Sequence, residues 1–150
     1  MNKFIILLLS VLFISCDSKR LFEEYKPIER KGWHIDSIKT FDYHFLNPNS
    51  KMKFYIGLRN NNEFLYSNLY LFSKLTFPDG NYNLDTLNFI LANKNGKWLG
   101  NGISEIKYNL FEFNNSIYEQ EGNYNIQFGH GMRDSILVGI EDIGIRIEKN

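Results

Sequence analysis

Three histidines, one cysteine and a scatter of carboxylates are the residues of this 150-residue chain whose types could do chemistry. His34, His44 and His130 include no pair at the four-residue spacing that sets two zinc ligands on one helix face, so a metal centre would have to be assembled from distant segments. Asp79, Asn81, Asn83 and Asp85 occupy alternate positions, as the ligands of a calcium loop do. Leu84 stands where that loop needs its sharp-turn glycine and Ile90 where it needs a bidentate glutamate, so the segment reads as a turn followed by a strand. Gly96 to Gly102 is glycine-rich but lacks the lysine-serine ending of a phosphate loop, and no Gly-x-Ser-x-Gly elbow occurs. Glu141 and Asp142 adjoin each other and point to opposite faces of an extended strand. These patterns offer no acid-base pair, so the expectation is a protein that is not an enzyme, with no cofactor, no metal site and no small-molecule substrate.

The chemistry left is covalent lipidation and binding. Lys3 is followed by an apolar run, Phe4 to Ile14, far shorter than the roughly 20 residues a bilayer-spanning helix needs. A charged start, a short apolar core and a small residue at the cut describe a secretory signal, predicted over residues 1–15. Phe13-Ile14-Ser15-Cys16 has the form of a lipobox, in which Cys16 takes a diacylglycerol thioether, the chain is cut before it and the new amino group is acylated. Cys16 is the only cysteine, so no disulfide framework exists and no thiol remains for catalysis.

The binding candidates are Trp33, Arg59, Trp98, His130 and Arg133, the last two within Gly129-His130-Gly131-Met132-Arg133. They combine the aromatic and guanidinium groups enriched at interface hot spots. The competing interpretation is structural: the tryptophans plug the ends of the fold, and each arginine pairs with a carboxylate such as Asp42, Asp85 or Asp142. Lysine plus arginine equals aspartate plus glutamate at 17 each, which gives no electrostatic footprint for nucleic acid.

The elements that must position these residues read as strands. Asp17 to Lys31 is highly charged and reads as a tether that could hold the domain up to about 50 Å from a bilayer, so lipidated tether is expected over 16–31 and the folded domain over 32–150. Phe41, Tyr43 and Phe45 alternate with polar residues, as do Met52, Phe54, Ile56 and Leu58. Phe64 to Phe77, with Leu65, Leu69, Leu71 and Leu75 in one phase, is expected to pair with the preceding strand as a central hairpin across Asn60-Asn61-Asn62. Phe77-Pro78-Asp79-Gly80 fits a tight turn, and Asn95-Gly96 a two-residue hairpin of type I′ returning through Lys97-Trp98-Leu99. Ile103 to Phe113, Ile117 to Glu119, Asn123 to Gly129 and Leu137 to Glu148 supply further strands, the last with Ile143, Ile145 and Ile147 inward. Eight or nine short strands without a convincing helix indicate an all-β, antiparallel β-sandwich.

Cys16-Asp17 with Arg20 and Glu24-Tyr25, then Gly32-Trp33-His34, Asp36-Ser37-Ile38 and Phe41-Asp42, resemble the start of the GldH family of gliding-motility lipoproteins from Bacteroidetes. The resemblance continues through Leu58-Arg59-Asn60, Tyr66-Ser67-Asn68-Leu69, Phe77-Pro78-Asp79-Gly80, Trp98-Leu99-Gly100, Met132-Arg133 and Asp142-Ile143-Gly144 to Arg146-Ile147-Glu148-Lys149. It implies a lipid-anchored cell-envelope protein that serves gliding over surfaces and the associated type IX secretion apparatus, with other envelope proteins as partners and membrane lipid held through Cys16. Only Cys16 inherits a chemical role from it. A periplasm-facing position on the outer membrane is expected. The alternative function is a surface glycan-binding module, since aromatic-rich sandwiches present rings to sugars. Coplanar exposed rings on one sheet face would favour glycan, and a mixed patch of Arg59, Arg133 and a tryptophan a protein partner.

Overall fold

The computed structural model describes residues 19–46 and 48–150, with the side chains of Asn115 and Ile117 left aside. The predicted signal peptide and Cys16 lie outside the described residues. The architecture is all-β and antiparallel. Strands β1 (Arg20–Pro27), β10 (Ile140–Lys149), β4 (Ser50–Asn60) and β7 (Lys107–Tyr118) form one four-stranded sheet, in that order. Strands β3 (Lys39–Phe45), β8 (Gly122–His130), β5 (Asn68–Thr76) and β6 (Tyr82–Ile90) form the second, and β2 (Trp33–His34) pairs with β9 (Ile136–Leu137) at one end. For brevity the two large sheets are the β4 sheet and the β5 sheet.

Period-two alternation drives the two sheets together. Met52, Phe54, Ile56 and Leu58 of β4 and Ile143, Ile145 and Ile147 of β10 are buried against Leu69, Leu71 and Leu75 of β5 and Tyr124, Ile126 and Phe128 of β8. Aromatic contacts bridge the layers at both margins. Phe22 of β1 meets Tyr43 of β3 with ring centroids 5.3 Å apart, and Phe89 of β6 stacks on Phe111 of β7 at 4.5 Å. The edge strands carry their own protection against further pairing: β1 ends in Lys26-Pro27, and β6 turns the polar Asn83 and Asp85 to the inward side, where both stay exposed.

Several expectations are corrected. Over Arg20–Pro27 the presumed tether is an edge strand paired with β10 from Arg20↔Glu148 to Pro27↔Asp142. Its charge misled because an outer face and a sheet edge tolerate charge, while Phe22 and Tyr25 supply the packing. The central hairpin does not form: β4 and β5 belong to different sheets, and the chain crosses between them where Phe64, 3% exposed, plugs the core. Leu65, placed in the buried phase, is 79% exposed because β5 begins only at Asn68. The stretches Ile103–Phe113 and 117–119 are one strand beginning at Lys107, and Ile103 lies exposed before it. A bulge between Phe54↔Asn114 and Tyr55↔Glu112 inserts Phe113 and reverses the inward phase, which made one strand look like two.

The Phe77–Gly80 turn forms as expected, the Gly80 amide donating to the Phe77 carbonyl at 3.0 Å. The hairpin at Asn95-Gly96 is longer than a two-residue type I′ turn. The Asn93 amide donates to the Lys97 carbonyl at 2.9 Å and the Gly96 amide to the Asn93 carbonyl at 2.9 Å, so Lys94-Asn95-Gly96 is a three-residue loop. Gly96 alone of the pair has positive φ, +77°.

Candidate functional site

All five binding candidates stand at one end of the sandwich, the end where β4 and β8 finish. Two of them are core. Trp33 is 1% exposed and its indole Nε1 donates to the Ser37 carbonyl at 2.6 Å. His130, also 1% exposed, meets the Trp33 ring edge-on at 5.6 Å. Its Nε2 lies 3.0 Å from the Trp33 carbonyl oxygen, so Nε2 carries the proton and donates. Among the described residues Nδ1 meets no hydrogen-bond partner, and burial holds the imidazole below its ordinary pKa. These two side chains are not available to a partner; they lock β2 onto β8, as the structural interpretation of the tryptophans expects.

Arg59 sits on the outer face of the β4 sheet, where Nε donates to Asp142 Oδ1 at 2.9 Å and a second hydrogen bond reaches Oδ2. The Asp142 side chain is 9% exposed and that of Arg59 48%, so the carboxylate is the buried partner. Beside them lies an arrangement not anticipated from the sequence. Tyr25 of β1 extends across the register line Tyr25, Gly144, Gly57, and its hydroxyl reaches the Tyr108 hydroxyl of β7 at 3.1 Å. Two glycines in mid-strand make this possible: a Cβ on Gly144 would come within 2.5 Å of the Tyr25 ring, and one on Gly57 would strike its hydroxyl end. Burial and the Tyr108 bond push the Tyr25 phenol far above its usual pKa. Tyr25, Tyr108, Arg59 and Glu23 surround a shallow depression, and the Arg59 guanidinium lies 5.8 Å from the Tyr25 ring centroid. Trp98 is half-buried between the sheets' ends, its indole donating to Asn62 Oδ1 at 3.0 Å.

Arg133 is exposed and belongs to a different surface, on the β5 sheet. There Tyr66, Tyr70, Gly131, Met132 and Arg133 line a cleft. The Gly131 amide donates to the Tyr70 carbonyl at 2.7 Å, and Met132 Sδ lies 3.4 Å from the Tyr70 amide, so the loop after β8 is fastened along β5. The Tyr66 hydroxyl donates to Asp134 Oδ2 at 2.6 Å, which raises the phenol's pKa. Next to the cleft, Phe72 is 57% exposed, opposite Gly129 in the register and in contact distance of Gly131. Ile38, just before β3, lies against Gly129, and Leu84 of the adjoining β6 lines a depression with Phe72; both are exposed. Arg59 and Arg133 thus occupy opposite faces, and the mixed patch with a tryptophan that would have favoured a protein partner is not formed. Tyr70 and Phe72 were missed, yet a signal existed: in Phe64 to Phe77 the phase opposite the leucines carries Phe64, Tyr66, Tyr70 and Phe72, against Phe77 alone in the leucine phase.

Among the described residues no group of three or more histidine, cysteine, aspartate or glutamate side chains is placed to hold a metal ion, and no helix is long and apolar enough to cross a membrane. Fold and surface place the chain in the class of all-β proteins whose two-sheet scaffold presents apolar and cationic groups outward. Its match to the GldH lipoprotein family model covers residues 20–147, and the chain belongs to that family. The match starts at the first residue of β1, within the stretch expected to be tether. The chain is 36% identical over 155 residues to the gliding motility lipoprotein GldH of Flavobacterium johnsoniae, covering 99% of this chain and 96% of that protein. It is equally 36% identical over 155 residues to a GldH homolog of Christiangramia forsetii, covering 98% and 94%. A solved 4-O-methyl-α-glucuronidase superposes with a TM-score of 0.49 at 11% identity, covering 91% of this chain and 18% of that one, a similarity too loose to bear on function. Membership makes this a gliding-motility lipoprotein, a lipid-anchored protein of the cell envelope and not a member of an enzyme family.

Proposed function

We propose that this lipoprotein works without catalysis, by binding protein partners of the gliding machinery and its associated type IX secretion apparatus through the outer face of the β5 sheet. The observation that carries the reading is the composition of that face: Tyr70, Phe72 and Arg133 stand exposed beside the half-buried Tyr66, over the largely buried Met132. Tyrosine, phenylalanine, methionine and arginine are the types enriched in protein interfaces. Ile38 and Leu84 beside them offer aliphatic surface with no group for a sugar hydroxyl, which favours a protein partner over the glycan alternative. Cys16 carries the diacylglycerol and N-acyl chains in this reading, and the domain works at the periplasmic face of the outer membrane.

Affinity purification of the intact lipoprotein from its native membrane in mild detergent tests this. Envelope proteins should co-purify with the wild type and be lost from Phe72→Glu, whose folding is expected to be unchanged because the side chain is exposed. Equal recovery from both, or none from either, contradicts it. Binding of the purified domain to cell-surface glycans that Phe72→Glu abolishes would replace the proposal with the alternative.

A further inference from the structure

The inner side of a two-sheet fold is ordinarily apolar, and at one margin of this domain it turns polar on both sheets. β6 and β7 are the edge strands there, and Phe89 stacked on Phe111 at 4.5 Å closes the margin at one end. Away from that stack, β6 sets Asp85 and Asn83 in the inward phase, opposite Ser73 and Leu75 of β5. β7 does the same with Asn114 and Ser116, which pair with the inward Phe54 and Met52 of β4. Between the two strands runs a slot made of adjoining depressions of about 250 Å³ and about 430 Å³, both lined by Asn83 and Asn114. Protection of a free edge calls for charge, which Asp85 supplies; Asn83, Asn114 and Ser116 are instead neutral donors and acceptors. The smaller depression is backed by aromatic rings, Tyr124 meeting Phe77 edge-on at 5.8 Å and Tyr118 at 5.3 Å. Its wall is under-satisfied. The Tyr118 hydroxyl and Asn114 Oδ1 are buried and, among the described residues, meet no hydrogen-bond partner. Burial pushes the Tyr118 phenol well above its usual pKa, so it stays a donor, and Asn114 Oδ1 is an acceptor. Both side chains line the slot, so a hydroxyl or a water entering there is what can complete them.

We infer that the slot between β6 and β7 binds a neutral sugar chain, held by the amide and hydroxyl side chains of its two walls. A sugar hydroxyl donates and accepts at once, and so do the asparagine amides and the serine hydroxyl that face it. The partly buried Phe77 ring at one end offers an apolar surface to the C–H side of a sugar ring. Asp85 and Glu119, the charged residues of the lining, accept from hydroxyls and repel an acidic glycan. A peptide strand added at this margin would alternate its side chains and need apolar pockets on the inner side, where these walls are polar. The slot opens between the sheets, whereas Tyr70 and Phe72 point outward from β5, so the sugar is a second ligand and not a substitute for the protein partner.

The test is biolayer interferometry of the full-length native lipoprotein, held in a detergent that carries no sugar, against the neutral and the acidic polysaccharide fractions of its own cell envelope. The neutral fraction should bind and the acidic one should not. Asn83→Ala, at an exposed position, and Tyr118→Phe, which deletes only the hydroxyl, should each weaken binding by about three- to tenfold without lowering the melting temperature. Phe72→Glu, on the outer face, should leave sugar binding unchanged. No binding of the neutral fraction, stronger binding of the acidic one, or binding that both slot variants leave intact overturns the proposal. Capture of envelope peptides in place of sugar, abolished by Asn83→Ala, overturns it as well.

Discussion

Arg59 and Asp142 form a pair whose halves differ in exposure, and removing either half should therefore cost differently. Arg59→Ala strands a buried carboxylate and should cost about 2 kcal/mol, whereas Asp142→Ala leaves a half-exposed guanidinium that water can solvate and should cost about 1 kcal/mol. Urea titrations of the two variants check the order. His130 makes a second test. Its folded-state pKa lies below the unfolded value of about 6.5, so the unfolded chain binds the proton first. The stability tied to the neutral ring is complete above that value and is lost as the pH falls toward the lower, folded-state pKa. The wild type should weaken more steeply than His130→Gln as pH drops from 7 to 5 in urea melts. Of these residues, the arginine–carboxylate pairing and the tryptophan plug were legible in the sequence as structural roles. The His130–Trp33 contact was not, because 97 residues separate the two and their meeting depends on β2 packing beside the end of β8.

At the scale of elements, alternation located most strands, and turn residues located the Phe77–Gly80 reversal. What failed was phase and partnership. The bulge at Phe113 hid the length of β7, and pairing between β1 and β10, more than 110 residues apart, leaves no local mark. Tyr25 is the element-scale feature most open to test. Gly57→Ala should destabilise the domain by about 1–2 kcal/mol, because the new methyl collides with a ring held over Gly144 and bonded to Tyr108. In a Tyr25→Ala background the same change should be nearly neutral. A double-mutant cycle by denaturant melts measures this coupling, expected at about 1 kcal/mol or more. Gly96→Val should cost about 1 kcal/mol for a backbone reason alone, since φ is +77° and no atom lies within 4 Å of a Cβ there. An unchanged thermal midpoint would contradict that geometry.

For the whole molecule, β1 begins, four residues after Cys16, at the opposite end of the strands from the surface proposed for partners. Cys16→Ser should release the protein from the membrane pellet while leaving its melting temperature intact, because the buried core among the described residues runs from Trp33 to Ile147. Fractionation with palmitate labelling of the wild type reads this directly. The working surface was only half legible: Arg133 and Met132 stood out by type, but Tyr70 and Phe72 lay in a segment whose two faces are both apolar, and sequence alone does not say which face turns outward. The most direct test is a photo-crosslinking amino acid in place of Phe72 in living cells, with Leu110 on the opposite sheet as the control position. A covalent adduct with an envelope protein is expected at position 72 and not at 110. An adduct at 110 alone, or at neither, contradicts it.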